Sequence, residues 1–265
     1  MSSADFGRAG ALERALGLAG LDCAVDWIEE TTSTNADLLQ YARRADGMAR
    51  PRCRVAGHQS AGRGRQGRAW LDDRTSLLVS LAWPFPPGTG MAGLSLAAGV
   101  WLAQALQELG AHDVRLKWPN DVLLHGGKLA GILVELADSA HARWAIIGIG
   151  LNLRHPDGTS GASGLDDCGV DASRWDVLAR LAPTMLAALP VYAQAGFAPW
   201  QEAWNARHAW KGAAVRVVDA NTTRERGVAL GADADGCLVL DTPDGRRRVV
   251  SGDVSLRTMQ DNPLG

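Results

Sequence analysis

The stretch from residue 114 to residue 153 limits the fold more than any other. Apolar runs at 114–118, 122–124, 128–136 and 143–153 are divided by Pro119-Asn120-Asp121 and by Gly126-Gly127. Short apolar runs cut by turn residues read as strands, and a Gly-Gly pair supports a tight reversal. Strand, turn, strand, strand in succession predicts an antiparallel sheet. Lys117, Asn120, Asp121, Lys128 and Asn152 fall at the strand ends. Each alone fits a solvated turn. Gathered at the rim of an apolar sheet, they are candidate ligand groups.

The flanking chain fills in the architecture. Strands are expected at 25–28, at 53–59 after Pro51, and at 76–83, the last ended by Pro84, Pro86 and Pro87. Helices are expected at 11–18 (stopped by Gly20), 36–42, 93–109, 174–189 and 197–208. The 93–109 run is apolar around most of its circumference and should be buried. Residues 1–10 read as a loose terminus, and 155–171, rich in Gly, Asp and Ser, as a mobile loop. Trp175, Trp200, Trp204 and Trp210 read mainly as core or interface. From residue 211 the pattern changes to short strands at 214–219, 225–230, 237–240 and 246–250, separated by turn residues. The organisation expected is an α+β body over 1–210 and a small all-β module over 211–265. With no linker between them, the two should pack directly.

Bulk properties exclude several classes. A net charge of −2 over 265 residues argues against a generally basic nucleic-acid binder. Cys23, Cys53, Cys168 and Cys237 are scattered, without the spacing of a zinc site or a disulfide framework. There is no signal-like start and no apolar run of about 18 residues, so neither secretion nor a membrane span is expected, and a reducing cytoplasm fits best.

Two polar stretches carry chemistry. Residues 58–70 place Gly62, Gly64 and Gly67 between Arg63, Arg65 and Arg68. Glycine lets backbone approach a ligand, successive N–H groups can cradle an anion, and arginine adds a charged planar fork. A loop wrapping an anionic substrate and a solvated basic hairpin both fit this composition. Residues 31–35 run Thr-Thr-Ser-Thr-Asn before a helix. An N-cap needs one such residue, so the surplus leaves a polar ligand pocket open beside plain capping.

Taken together, the motifs resemble biotin protein ligase. They are Ser33-Thr34-Asn35, the 62–70 loop ending in Trp70, Lys117-Trp118-Pro119-Asn120-Asp121, the run from Lys128 to Glu135, Gly148-Ile149-Gly150-Leu151-Asn152, and Ser251 to Arg257. The resemblance implies a mixed sheet flanked by helices, like class II aminoacyl-tRNA synthetases, followed by an SH3-like β-barrel. It implies a two-step reaction. Biotin and ATP give biotinyl-5′-adenylate and pyrophosphate, and a lysine of a biotin carboxyl carrier protein of acetyl-CoA carboxylase then takes the biotinyl group.

By the same resemblance, Arg63, Arg65 and Lys128 serve catalysis along the carboxylate and α-phosphate. Ser33, Thr34, Asn35, Gln59, Gly62, Gly64, Trp70 and Gly131 complete the biotin site with them. Arg65, Arg68, Lys117, Asn120, Lys128 and Asn152 face ATP, and Asn120 with Asp121 lies nearest Mg²⁺. The adenine-stacking tryptophan of some members has no secure counterpart, Trp175 being the candidate. The sequence departs from repressor-type members in having about 30 residues and one short helix before Ser33, where a recognition-helix unit would need more. A ligase without DNA binding is therefore expected, with a homodimer left open. Gln66 stands where some members carry arginine. A lipoate ligase, its R-x-S-G-G-G run absent here, and a biotin-binding regulator are the rival readings.

Overall fold

A seven-stranded mixed sheet carries the body of the molecule. The structure is a computed structural model. It describes residues 3–43, 50–70, 74–139, 141–219, 222–250 and 254–258, the last stretch as backbone alone. In chain order the elements are α1 (Ser3–Leu18), β1 (Ala24–Thr31), α2 (Thr34–Ala42), β2 (Arg52–Gln59), β3 (Ser76–Phe85), α3 (Leu94–Glu108), β4 (Arg115–Lys117), β5 (Asp121–Leu124), β6 (Gly127–Asp138), β7 (Arg143–Asn152), α4 (Arg174–Ala195), α5 (Gln201–Arg207), β8 (Ala214–Asp219), β9 (Thr222–Ala232), β10 (Leu238–Thr242), β11 (Gly245–Val249) and β12 (Val254–Thr258). The large sheet runs β1-β2-β3-β7-β6-β5-β4. β1 and β2 are parallel, joined through α2, and the other pairs are antiparallel, which the 114–153 pattern predicted for β4 to β7.

Alternation along the strands builds a core on each face. On one, Leu38 and Ala42 of α2 meet Ala82, Trp144 and Ile146. On the other, α3 and α4 cover Val55, Leu81, Ile147 and Ile149. Buried residues of α3 include Ala97, Val100, Trp101, Leu102 and Leu106, which accounts for its all-round apolar character.

Three sequence expectations need correction. The first helix begins at Ser3, so most of residues 1–10 is helical. Its register is held from a distance. Ala9 and Leu16 are buried, and Trp175 Nε1 donates to the Asp5 carboxylate at 2.7 Å. Pro84 does not end β3 but lies within it, opposite Trp144. β2 pairs with β3 only as far as Ala82, so Pro84 has an unpartnered edge where a missing N–H is tolerated. Residues 155–171 are not a featureless loop. Leu165–Cys168 form a 3-10 turn with Leu165 buried, and Lys128 N–H donates to Gly161 O at 2.8 Å.

The C-terminal strands form a five-stranded antiparallel sheet in the order β11-β10-β9-β8-β12. The expected all-β character holds, and β12 is an additional strand. Ser251, Gly252 and Asp253, part of the quoted motif, lie outside the described residues. The sheet packs directly on the body, with Val215, Val217, Ala229, Leu238 and Leu240 in the same core as α3 and α4. Asn205 ties the two together, its Nδ2 donating to Ala232 O and its Oδ1 accepting from Ala232 N–H.

At this junction His208 is 6% exposed and stacks on Trp204 at 4.7 Å. Neither ring nitrogen has a hydrogen-bond partner among the described residues. Burial lowers its pKa from 6.5 to about 4. The unfolded chain therefore binds the proton more readily than the native one. The neutral ring's contribution is complete above about pH 6.5 and is lost as pH falls toward 4. Urea titrations of wild type and His208→Phe should show the wild type losing on the order of 3 kcal/mol more on moving from pH 7.5 to 4. Parallel losses in both proteins would contradict this account.

Candidate active site

A cleft opens at the end of β1 and β2, between the 62–70 hairpin, the N-terminus of α2, the turn from β4 to β5, and strands β6 and β7. Its inner end is polar. Ser33 caps α2, its hydroxyl accepting from Ala36 N–H at 3.4 Å. Thr34 and Asn35 are thereby left for other work, so capping and pocket formation are divided between neighbours. Gln59 Oε1 accepts from Thr34 N–H at 2.7 Å and lies 3.1 Å from the Thr34 hydroxyl. Asn35 Nδ2 donates to Glu135 at 2.8 Å, and Asn35 Oδ1 accepts from the Ser80 hydroxyl at 2.6 Å.

The single Ser80 proton is thus committed, which makes Thr34 the donor in the 2.7 Å Thr34–Ser80 contact. The one Thr34 hydroxyl proton then serves Ser80, Gln59 Oε1 is held by the Thr34 N–H, and the Thr34 oxygen is left to accept from a ligand N–H. Thr34, Asn35 and Ser80 are at most 5% exposed, and buried polar groups of this kind need such closure.

Glycines make room for this arrangement. A Cβ on Gly148 would lie 2.3 Å from Asn35 Oδ1, and one on Gly150 would lie 2.5 Å from the Trp70 indole. A Cβ on Gly131, which pairs with Gly150 across β6 and β7, would reach Trp70 at 3.1 Å. The Gly-x-Gly-x-Asn pattern is therefore a matter of space. One glycine admits Asn35, the next admits Trp70, and the tryptophan lies flat on the strands.

The hairpin holds its arginines over the cleft. Trp70 N–H donates to Gly62 O at 2.9 Å and Gly64 N–H donates to Arg68 O at 2.7 Å. Gln66 and Gly67 turn the tip with φ of 59° and 69°, a conformation that favours glycine and makes Gln66 the unusual member. Arg68 Nη2 donates to Gln66 Oε1 at 2.6 Å. Arg63, Arg65 and Arg68 all line the cleft.

Opposite them, Lys128 Nζ lies 2.7 Å from Asp121 and Lys117 Nζ lies 3.8 Å from the same carboxylate. Lys128 also stands 5.7 Å from the Trp70 ring centre. Asn120 Nδ2 donates to Ile132 O at 2.8 Å, which fixes its amide. Among the described residues, five cationic side chains and a single aspartate line the cleft, so it suits an anion beside a polar hollow.

Three expected site residues do not line the cleft, the first being Gly62, which packs against Gln59 and Trp70. Asn152 is 8% exposed and does not line the cleft. Its Nδ2 donates to Lys128 O and Ser163 O, so it braces the strand that carries Lys128. Trp175 stacks on Trp27 at 5.9 Å and bonds Asp5, which removes it as an adenine platform. Asn120 and Asp121 do not form a ready-made metal cage. Asp121 is engaged by two lysines, and no cluster of three or more His, Cys, Asp or Glu that could hold a metal occurs among the described residues. Ser80 and Glu135 were not anticipated as site residues. Their signal was a polar side chain inside an apolar strand, Ser80 in 76–83 and Glu135 in 128–136.

Fold and site together define the class. Residues 27–152 match the biotin/lipoate A/B protein ligase family, and 212–257 match the biotin protein ligase C-terminal domain. The chain belongs to the biotin protein ligase family. It is 35% identical to the biotin–[acetyl-CoA-carboxylase] ligase of Paracoccus denitrificans, over 86% of this chain and 98% of that one. It is 37% identical to the ligase of the same name from Mycobacterium tuberculosis, over 87% and 88%. To the bifunctional ligase/repressor BirA of Escherichia coli it is 34% identical over 78% of this chain, spanning 66% of BirA. The fold is similar to the biotin protein ligase of Aquifex aeolicus in complex with biotin and ATP. That likeness has a TM-score of 0.75 and 26% identity, covering 88% of this chain and 98% of that one.

Proposed function

We propose that this chain activates biotin with ATP and transfers the biotinyl group to a lysine of a biotin carboxyl carrier protein of acetyl-CoA carboxylase. The observation that carries the reading is the joining of two features in one cleft. The polar hollow of Thr34, Asn35 and Gln59 suits a buried ureido ring, and the cations Arg63, Arg65, Lys117 and Lys128 lie beyond it. The Thr34 oxygen accepts a ureido N–H. Trp70, flat over Gly131 and Gly150, covers the apolar body.

In the first step a biotin carboxylate oxygen bonds to the α-phosphorus, and the bond from that phosphorus to the bridging oxygen breaks to release pyrophosphate. Two anions must be brought together, so Lys128 and Arg63 offset their repulsion and the charge of the transition state. In the second step the carrier amine attacks the acyl carbon, AMP departs with the former carboxylate oxygen, and the amine proton passes to solvent. Magnesium bound to the triphosphate would supply further charge neutralisation near Asn120 and Asp121. Because Asp121 is already engaged by lysines, phosphate oxygens would supply most of the ion's ligands.

The test is exchange of labelled pyrophosphate into ATP, measured with biotin, with lipoate and with neither acid. Biotin-dependent exchange supports the reading. Exchange with lipoate alone, or with neither acid, overturns it. A related prediction concerns the hairpin. Arg65 lines the cleft, which supports a role in holding the adenylate. Arg65→Gly should release the intermediate and label lysines on bystander proteins, read by avidin blot of a mixture with serum albumin. Labelling confined to the carrier lysine would count against this role.

A further inference from the structure

Lys117 and Trp118 of the cleft, and Leu116 just before them, are each gripped by residues that follow α5. Leu116 O accepts from Ala209 N–H at 2.9 Å, and Leu116 pairs with His208 as a parallel bridge. Trp118 Nε1 donates to Gly236 O at 3.2 Å, in the turn between β9 and β10. Between them, Lys117 Nζ lies 4.7 Å from the ring centre of Trp210, on the segment leading into β8. The Lys117 side chain is 14% exposed. Its aspartate contact at 3.8 Å is long, and the same carboxylate lies 2.7 Å from Lys128.

We propose that Trp210 is a positioning residue for the nucleotide end of the cleft, acting through Lys117. This rests on the reading of the cleft as a biotin and ATP site. The physical reason for an aromatic partner is that a ring face attracts an ammonium without cancelling its charge. A second close carboxylate would neutralise the lysine and repel phosphate. The ring offsets part of the desolvation of Lys117 and fixes its direction without itself cancelling the charge. The bridge at Leu116 and the Trp118 bond keep strand and ring in register, which a cation–π contact of fixed geometry requires.

The experiment measures the KM for ATP and for biotin in pyrophosphate exchange for Trp210→Leu, Trp210→Phe, Lys117→Met and Lys117→Met with Trp210→Leu. Equilibrium dialysis with ATP alone accompanies each variant. Trp210→Leu should weaken ATP about tenfold and leave the biotin KM within about twofold. Trp210→Phe, which keeps a ring face, should recover most of the loss. The double variant should be no worse than Lys117→Met, because the tryptophan acts through that lysine.

An unchanged ATP KM in Trp210→Leu overturns the proposal. So do equal losses for both substrates with phenylalanine no better than leucine, and so does a loss that adds to that of Lys117→Met. A wild type that binds ATP without biotin-dependent exchange would overturn the proposed function. Trp210 would then be judged on ATP affinity alone, where the same tenfold weakening is required. A wild type that binds no ATP overturns both.

Discussion

Lys128→Ala should reduce adenylate formation by roughly 100- to 1,000-fold while the protein stays folded. Lys128 stands at the start of β6, beside the Trp70 ring and 2.7 Å from Asp121. Its side chain is 41% exposed, so it contributes little to the core. Its importance lies in the reaction, where a carboxylate and a phosphate must approach each other. Removing one preorganised charge from such a site costs about two to three orders of magnitude in rate. It also leaves Asp121 facing the incoming phosphate with less compensation, which acts in the same direction. Single-turnover formation of pyrophosphate at saturating biotin and ATP, with thermal melting as the folding control, reads the effect. A variant that adenylates biotin as fast as wild type would remove Lys128 from the chemistry.

Gly148→Ala should damage biotin binding and stability together. The added Cβ would sit 2.3 Å from Asn35 Oδ1, so Asn35 must move. Asn35 links Glu135 to Ser80, and Ser80 to Thr34, so the disturbance reaches the hydroxyl that accepts from the ligand. Overpacking at a buried site of this kind costs about 1–3 kcal/mol. The KM for biotin should rise by an order of magnitude or more, because a partly satisfied buried polar network is worse than an intact one. Gly90→Ala is the matched control, since a Cβ there meets nothing within 4 Å. Calorimetry and biotin titration of both variants check this. A Gly148→Ala protein with wild-type biotin affinity would show that the network does not shape the site.

The parts of this molecule that could be read from the chain are those written in local chemistry. The strands of 114–153 are set by short apolar runs and turn residues. The basic hairpin and Lys128 declare themselves by charge in an otherwise near-neutral protein. What escaped depends on partners far along the chain. The helix at residue 3 needs Trp175 to bond Asp5, and Pro84 is tolerated in β3 because β2 stops short of it. Asn152 stands in a motif and reads as a ligand group, yet its side chain faces inward and braces Lys128. Ser80 and Glu135 show locally only as polar side chains within apolar strands. Their role arises when α2 brings Asn35 between two strands. The 155–171 segment is Gly- and Asp-rich, but pairing with the start of β6 gives it structure that composition cannot express.

The central claim is that biotin is activated through its carboxylate as an acyl adenylate in this cleft. The most direct measurement uses biotin labelled with ¹⁸O in the carboxylate, together with ATP and a biotin carboxyl carrier domain, with mass analysis of the nucleotide products. The account predicts one ¹⁸O in each AMP released and none in pyrophosphate. Label in inorganic phosphate with ADP as product, or unlabelled AMP, would contradict it.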